Sequence, residues 1–234
     1  MNIVITGAST GIGYETALKF SKDPQNTIFA LARNKENLDK LVTNAATSGH
    51  AGRIIPVVFD LANDDPSSLD RLLDNVQNID ILINNAGLLI KNPFVDLTDG
   101  DWMKMLQVNL LGHIKMIRKI FPLMGKTRRG HIVNISSMGG FQGSVKFEGM
   151  SAYSAFKAAI ANLTESLAVE FKDKNISVNC LAPGSVDTEM FRTAFPGYKA
   201  TLTVTAMSDF LVDFCLKGQL YFNGKILPMA ISTP

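Results

Sequence analysis

Tyr153 and Lys157 stand four residues apart in Ser151 to Glu170, a stretch whose Ala, Leu, Ile, Phe and Val residues recur at helical spacing. Residues at that separation share one helix face about a turn apart, which sets an ammonium beside a phenol. A tyrosine alone titrates near ~10, and a neighbouring positive charge favours phenolate, bringing the group toward an acid/base working range. The same pair on an exposed helix is an ordinary surface pair, so its meaning depends on the rest of the chain. At the amino end, the β-branched run Asn2 to Thr6 stops at Gly7, and Gly11 to Lys22 carries Ile12, Ala17, Leu18 and Phe20 at helical spacing. Gly7, Gly11 and Gly13 permit a tight backbone, although Gly also simply ends strands. Ser9 and Thr10 put hydroxyls near a helix N-terminus, where free N–H groups and the dipole favour an anion. A pyrophosphate is the expected ligand.

These residues need elements to position them. Thr27 to Ala32, Ile54 to Phe59, Ile79 to Ile83, Gly130 to Ile135 and Ile176 to Leu181 read as strands. Helices are expected at Glu36 to Thr47, Asp64 to Val76, from Thr98 or Asp99 to Phe121, and Met207 to Leu216. The alternation predicts a single α/β domain over residues 1–234: a doubly wound, Rossmann-like fold with a mostly parallel sheet of about seven strands flanked by helices. No repeat or linker divides the chain.

In open α/β sheets ligands bind at the carboxyl ends of the strands. The polar and glycine signals fall there: Arg33 after the second strand, Asp60-Leu61 after the third, Asn84-Asn85-Ala86-Gly87 after the fourth, Ser136-Ser137 after the fifth and Pro183-Gly184 after the sixth. Small residues after the fourth strand let a cofactor pass over the backbone, and the amides there can tie strands together. Asp60 equally suits the cap region of the helix near Asp64. An NAD site places an acid about twenty residues beyond the glycines, where this chain has Ala32 and Arg33. A guanidinium suits a 2′-phosphate, so NADP(H) is favoured.

With 234 residues, 46% of them hydrophobic, the chain has enough apolar material for a sizeable core. The net charge of +2 is small, and apart from Lys126, Arg128 and Arg129 the basic residues are scattered. That pattern gives no nucleic-acid or membrane footprint and fits a small-molecule partner. Met1 runs straight into Ile3-Val4-Ile5 without a basic or hydrophobic leader, and no run is long enough to cross a bilayer, so a soluble, cytoplasmic protein is expected. Cys180 and Cys215 are too few and too distant for a disulfide framework or metal site, and read as buried thiols.

The spacing of Thr6-Gly7, Gly11 and Gly13 differs from the G-x-G-x-x-G fingerprint. Together with Asn84-Asn85-Ala86-Gly87, Ser137, Tyr153-Ser-Ala-Phe-Lys157 and Pro183-Gly184-Ser-Val-Asp-Thr188, all in order, it resembles the short-chain dehydrogenase/reductase family from residue 6 to residue 188. The resemblance implies reversible hydride transfer between NADP(H) and a carbonyl or secondary alcohol. In it Tyr153 is the acid/base, Ser137 (with Ser136 the alternate) hydrogen-bonds the substrate oxygen, and Lys157 lowers the tyrosine pKa while holding the nicotinamide ribose. Asn109, a poor helix former inside an apolar stretch, would loosen its helix and hold a water linked to Lys157. The resemblance also implies cofactor contacts from the glycine motif, including Ser9, Thr10 and Ile12, and from Asn84, Ala86 and Gly87. Asp60 and Leu61 would contact the adenine. Past Pro183 and Gly184, Val186 and Thr188 would reach the carboxamide.

Ser137 to Tyr153 covers sixteen steps, a few more than the family usually has, leaving Phe141 to Met150 as an enlarged loop. Phe141, Val145, Phe147 and Met150 make it partly apolar, while Lys146 and Glu148 have no obvious place. Glu189 to Leu202 matches the family's substrate lid, which excludes water during reaction. Asn223-Gly224 between apolar runs signals a hairpin, whereas the family expects a last parallel strand. An NADP(H)-dependent ketone or 3-oxoacyl reductase is the leading expectation. An NAD(H)-using dehydrogenase of an alcohol, polyol or steroid-like substrate is a second, and a dinucleotide sensor without turnover a third. The full set of Asn109, Ser137, Tyr153 and Lys157 argues against the sensor, and the family's habit implies a homodimer or homotetramer.

Overall fold

β1 (Asn2–Thr6) divides its side chains between two apolar clusters: Ile3 and Ile5 join one, Val4 the other. This is the two-residue period of a strand buried on both faces, and such a strand needs helices on both sides. The computed structural model, which describes residues 1–231, supplies them. β2 (Thr27–Ala32), β3 (Arg53–Val58), β4 (Ile81–Asn84), β5 (Gly130–Ile135), β6 (Ile176–Pro183) and β7 (Ile226–Met229) complete a seven-stranded sheet in the order β3-β2-β1-β4-β5-β6-β7. Every pairing is parallel. The first cluster joins one face of the sheet to α1 (Gly11–Phe20), α2 (Lys35–Thr47) and α8 (Val204–Lys217). The second joins the other face to α3 (Asp70–Leu73), α5 (Gly112–Ile120) and α6 (Ser151–Glu170). The chain leaves β1 toward β2 and returns on its other side as β4, so the strand order reverses between β1 and β4, where such sheets open a crevice. No helix among the described residues is long and apolar enough to cross a membrane.

Several sequence expectations change. Pro56 pairs with Ala30 but lies on β3, the sheet's edge, where a missing N–H costs no ladder bond on the open side. The helix expected over Asp64 to Val76 shrinks to a 3₁₀ turn, Pro66–Leu69, capped by Asp65, followed by the single turn of α3. Asp60 therefore caps no helix. The long helix after Thr98 begins with a capping box between Thr98 and Asp101, and is split into α4 (Asp99–Leu106) and α5 by a π-helical turn, Gln107–Leu111. Asn223-Gly224 makes no hairpin. Gln219 to Phe222 is not a strand, and the pair is held on β6 by Val178 N–H donating to Asn223 Oδ1 at 3.0 Å and Gly224 N–H to Val178 O at 2.8 Å. β7 then runs parallel to β6.

Candidate active site

The glycine turn is built by close approach. Gly7 has φ +69°, and a Cβ there would lie 2.8 Å from Ala86 Cα; one on Gly13 would lie 2.4 Å from the Gly7 carbonyl oxygen. Only glycine lets the turn after β1 nest against both the turn after β4 and the start of α1. Thr6 and Asn85 lock that contact. Asn85 and Ala86 N–H both donate to Thr6 Oγ1 at 3.1 Å, and Asn85 Nδ2 donates to Thr6 O at 3.0 Å. Thr10, at the N-cap of α1, makes no side-chain cap bond, whereas Asn34, Thr98 and Thr203 cap α2, α4 and α8. The first turn of α1 thus has donors to offer an anion.

From this turn a cleft of about 1210 Å³ runs across the carboxyl ends of the strands. It brings together Ser9, Thr10, Gly11 and Ile12, then Arg33, Asp60 and Leu61 at one end. Ala86, Gly87, Ser137, Tyr153 and Lys157 stand on its far wall, with Pro183, Gly184, Val186 and Thr188 beside them. Arg33 is exposed on the cleft rim. The Asp60 carboxylate is engaged in its own turn, accepting from Ala62 N–H at 2.9 Å and Asn63 Nδ2 at 3.0 Å.

Three expected site residues lie behind the wall. Gly13 packs on Gly7. Asn84 is fully buried and donates to Asn134 Oδ1 at 2.9 Å, so it ties strands and does not face the cleft. Asn109, also fully buried, sits in the π-helical turn and clamps one residue of the β4 loop: Leu88 N–H donates to its Oδ1 at 3.0 Å and its Nδ2 donates to Leu88 O at 2.8 Å. That commits its amide to the backbone.

Ser136 and Ser137 separate cleanly. Ser136 is buried and donates to Lys157 O at 2.6 Å, pinning α6, while Ser137 is half-buried beside Tyr153. Lys157 Nζ donates to Ile135 O at 2.8 Å and lies 5.7 Å from the centre of the Tyr153 ring.

A family model described as short chain dehydrogenase matches residues 1–199. The chain belongs to that family. Among curated relatives of this short-chain dehydrogenase, the 3-oxoacyl-acyl-carrier-protein reductase of Thermotoga maritima is 36% identical over 80% of this chain and 74% of the relative. A rat dehydrogenase/reductase, SDR family member 4, is 32% identical over 99% of this chain and 86% of its own. An Escherichia coli short-chain dehydrogenase solved with NADPH superposes with TM-score 0.86 at 26% identity, covering 97% of this chain and 95% of the other. A Burkholderia cenocepacia enzyme solved with NADP gives TM-score 0.85 at 26% identity over the same shares.

The titrating groups of this short-chain dehydrogenase do not follow the simple pairing argument. Burial pushes Tyr153 up to about 12, against a lowering by the Ser137 hydroxyl, and pushes Lys157 down to about 8. Desolvation outweighs the expected lowering of the phenol by its neighbour, because both groups are enclosed and the ammonium is held on Ile135. Sequence reading missed His113, one turn beyond Asn109, whose Nε2–H donates to Ala86 O at 2.8 Å. Burial, helped by the Lys157 charge, holds its pKa down at about 3. Its spacing of four from Asn109 was the available signal. The tail was missed too: Gly184 N–H donates to Met229 O at 2.8 Å, and Ala230 lines the cleft.

Proposed function

We propose that this oxidoreductase is an NADP(H)-dependent reductase of ketones or 3-oxoacyl compounds, working as one dinucleotide-binding unit with residues 187–203 as its lid. The observation that carries the reading is the meeting of Ser137, Tyr153 and Lys157 midway along a cleft with an uncapped glycine-helix turn on its floor. The residues fit a dinucleotide. The start of α1 would take the pyrophosphate, Leu61 and Asp60 would flank the adenine, and Arg33, with no acid paired to it among the described residues, would take a 2′-phosphate. Bound NADPH supplies the hydride. Tyr153 gives its proton to the developing alkoxide, Ser137 donates a hydrogen bond to the same oxygen, and Lys157 holds the nicotinamide ribose. Asn109 clamps the backbone of Leu88 and so holds the neighbouring Gly87 beside the Lys157 ammonium. The relatives named as 3-oxoacyl reductases and the neighbours solved with NADP(H) support the reading.

The test follows NADPH and NADH absorbance over a panel of ketones, aldehydes and 3-oxoacyl thioesters. Tyr153→Phe is expected to lower turnover by at least about a hundredfold while NADPH still binds. Arg33→Ala is expected to weaken NADPH selectively, by roughly tenfold, leaving NADH unaffected. Tight NADPH binding without turnover of any carbonyl or alcohol would replace the reductase by a sensor.

A further inference from the structure

Lys146, in the enlarged loop, spends its charge on that loop's own oxygens. Its ammonium donates to Gly139 O at 2.8 Å, Phe141 O at 2.7 Å and Ser144 Oγ at 2.9 Å. The Ser144 hydroxyl in turn donates to Met138 O. The segment from Met138 to Lys146 is thereby curled around one cation. Packing holds its ends and little of its middle: Gly140 is buried against the α6 backbone and Phe147 meets Phe195 edge-on, while Val145 is exposed and Gly143 sits at positive φ in open space. Charge-assisted bonds of this kind are the stronger class, and here they hold the middle of the loop, where packing is sparse.

The ring starts at Ser137. Gly139 N–H donates to Ser137 Oγ at 3.1 Å and Gly140 N–H to Ser137 O at 2.9 Å. A hydroxyl has one proton and two lone pairs. With Gly139 on one lone pair, the proton is left to donate elsewhere, on the side of Tyr153. Lys146 holds the carbonyl of the same Gly139. We infer that Lys146 is a positioning residue for carbonyl reduction, fixing through Gly139 the direction in which Ser137 donates to the substrate oxygen; the inference rests on the reductase reading above.

Lys146→Met keeps the aliphatic stem and removes the donors, and Lys146→Arg restores a charged donor. Hydrogen exchange of amides 138–150 is expected to quicken about tenfold in K146M and to return toward wild type in K146R. For a carbonyl compound that the wild type reduces, K146M is expected to lower kcat about tenfold, with KM for NADPH within about twofold and partial rescue by K146R. Unchanged exchange in K146M overturns the inference, as does quickened exchange with kcat intact. A wild type that binds NADPH and turns over nothing overturns the reductase reading itself, a result visible before either variant is made.

Discussion

A phenol needs water or a cation to stabilise its phenolate, and Tyr153, 8% exposed, has little of the first. With its pKa pushed up to about 12 it stays protonated through the neutral range, which suits a proton donor. The limiting titration then passes to Lys157, whose pKa burial lowers to about 8. Its charged form exists below that value, and that is the form able to hold a ribose hydroxyl as a full cation. The reductive kcat/KM, which reports the free enzyme, is therefore expected to be level below about pH 8 and to fall with a one-proton slope above it. A profile level to pH 10 would remove Lys157 from this role. Ser137 adds no titration, so the same profile in Ser137→Ala should keep its shape at a lower height.

α6 carries Tyr153 and Lys157, and its seating depends on a buried polar chain. Asn84 Nδ2 donates to Asn134 Oδ1, Asn134 Nδ2 to Thr164 Oγ1, and Thr164 Oγ1 to Ile160 O, each at 2.9 Å, joining β4, β5 and α6. Thr164→Val preserves shape and strands the Asn134 amide, so it is expected to cost about 1–3 kcal/mol of stability, read as a lower urea midpoint. It should also reduce turnover, since α6 loses one of its ties to the sheet; unchanged stability would show the chain to be dispensable. The sequence made the elements legible where period and burial agree: β1, β2 and β5 were bounded as observed, because strands apolar on both faces have no competing pattern. Asn84 ties β4 to β5, one of the roles expected of these amides; adjacent residues on a strand point to opposite faces, so Asn84-Asn85 alone does not say which amide turns toward the glycine loop. The π-helical turn at Asn109 is invisible to a 3.6-residue period. It was anticipated only through the resemblance, and its cause, the clamp on Leu88, is a contact between residues 21 apart in sequence. Asn223-Gly224 misled because turn chemistry is local, while β7 pairs with β6 across the intervening chain that carries α8.

At the scale of the whole molecule, the two apolar layers each enclose a neutral histidine. His113 lies under the turn after β4, and His131, on β5, donates from Nδ1 to Cys215 O at 3.1 Å while its Nε2 accepts from Asn179 Nδ2 at 3.1 Å, fastening α8 to the sheet. Burial lowers their pKa values to about 3 and about 4, with the charges of Lys157 and Arg129 acting in the same direction. An unfolded histidine titrates near 6.5, so between that pH and the folded values the unfolded chain binds more protons. The resulting stability is complete above about pH 6.5 and is lost progressively as pH falls toward 4 and then 3, on the order of 5 kcal/mol for His113 and 3 kcal/mol for His131. Urea unfolding is thus expected to show a clearly lower midpoint at pH 4.5 than at pH 7. His131→Gln keeps a hydrogen-bonding side chain without a titrating ring, and should shrink that difference even if it lowers stability at both pH values. An undiminished difference in the variant would remove His131 from the acid sensitivity and leave it to His113 and to the carboxylates, whose ion pairs are lost nearer pH 4.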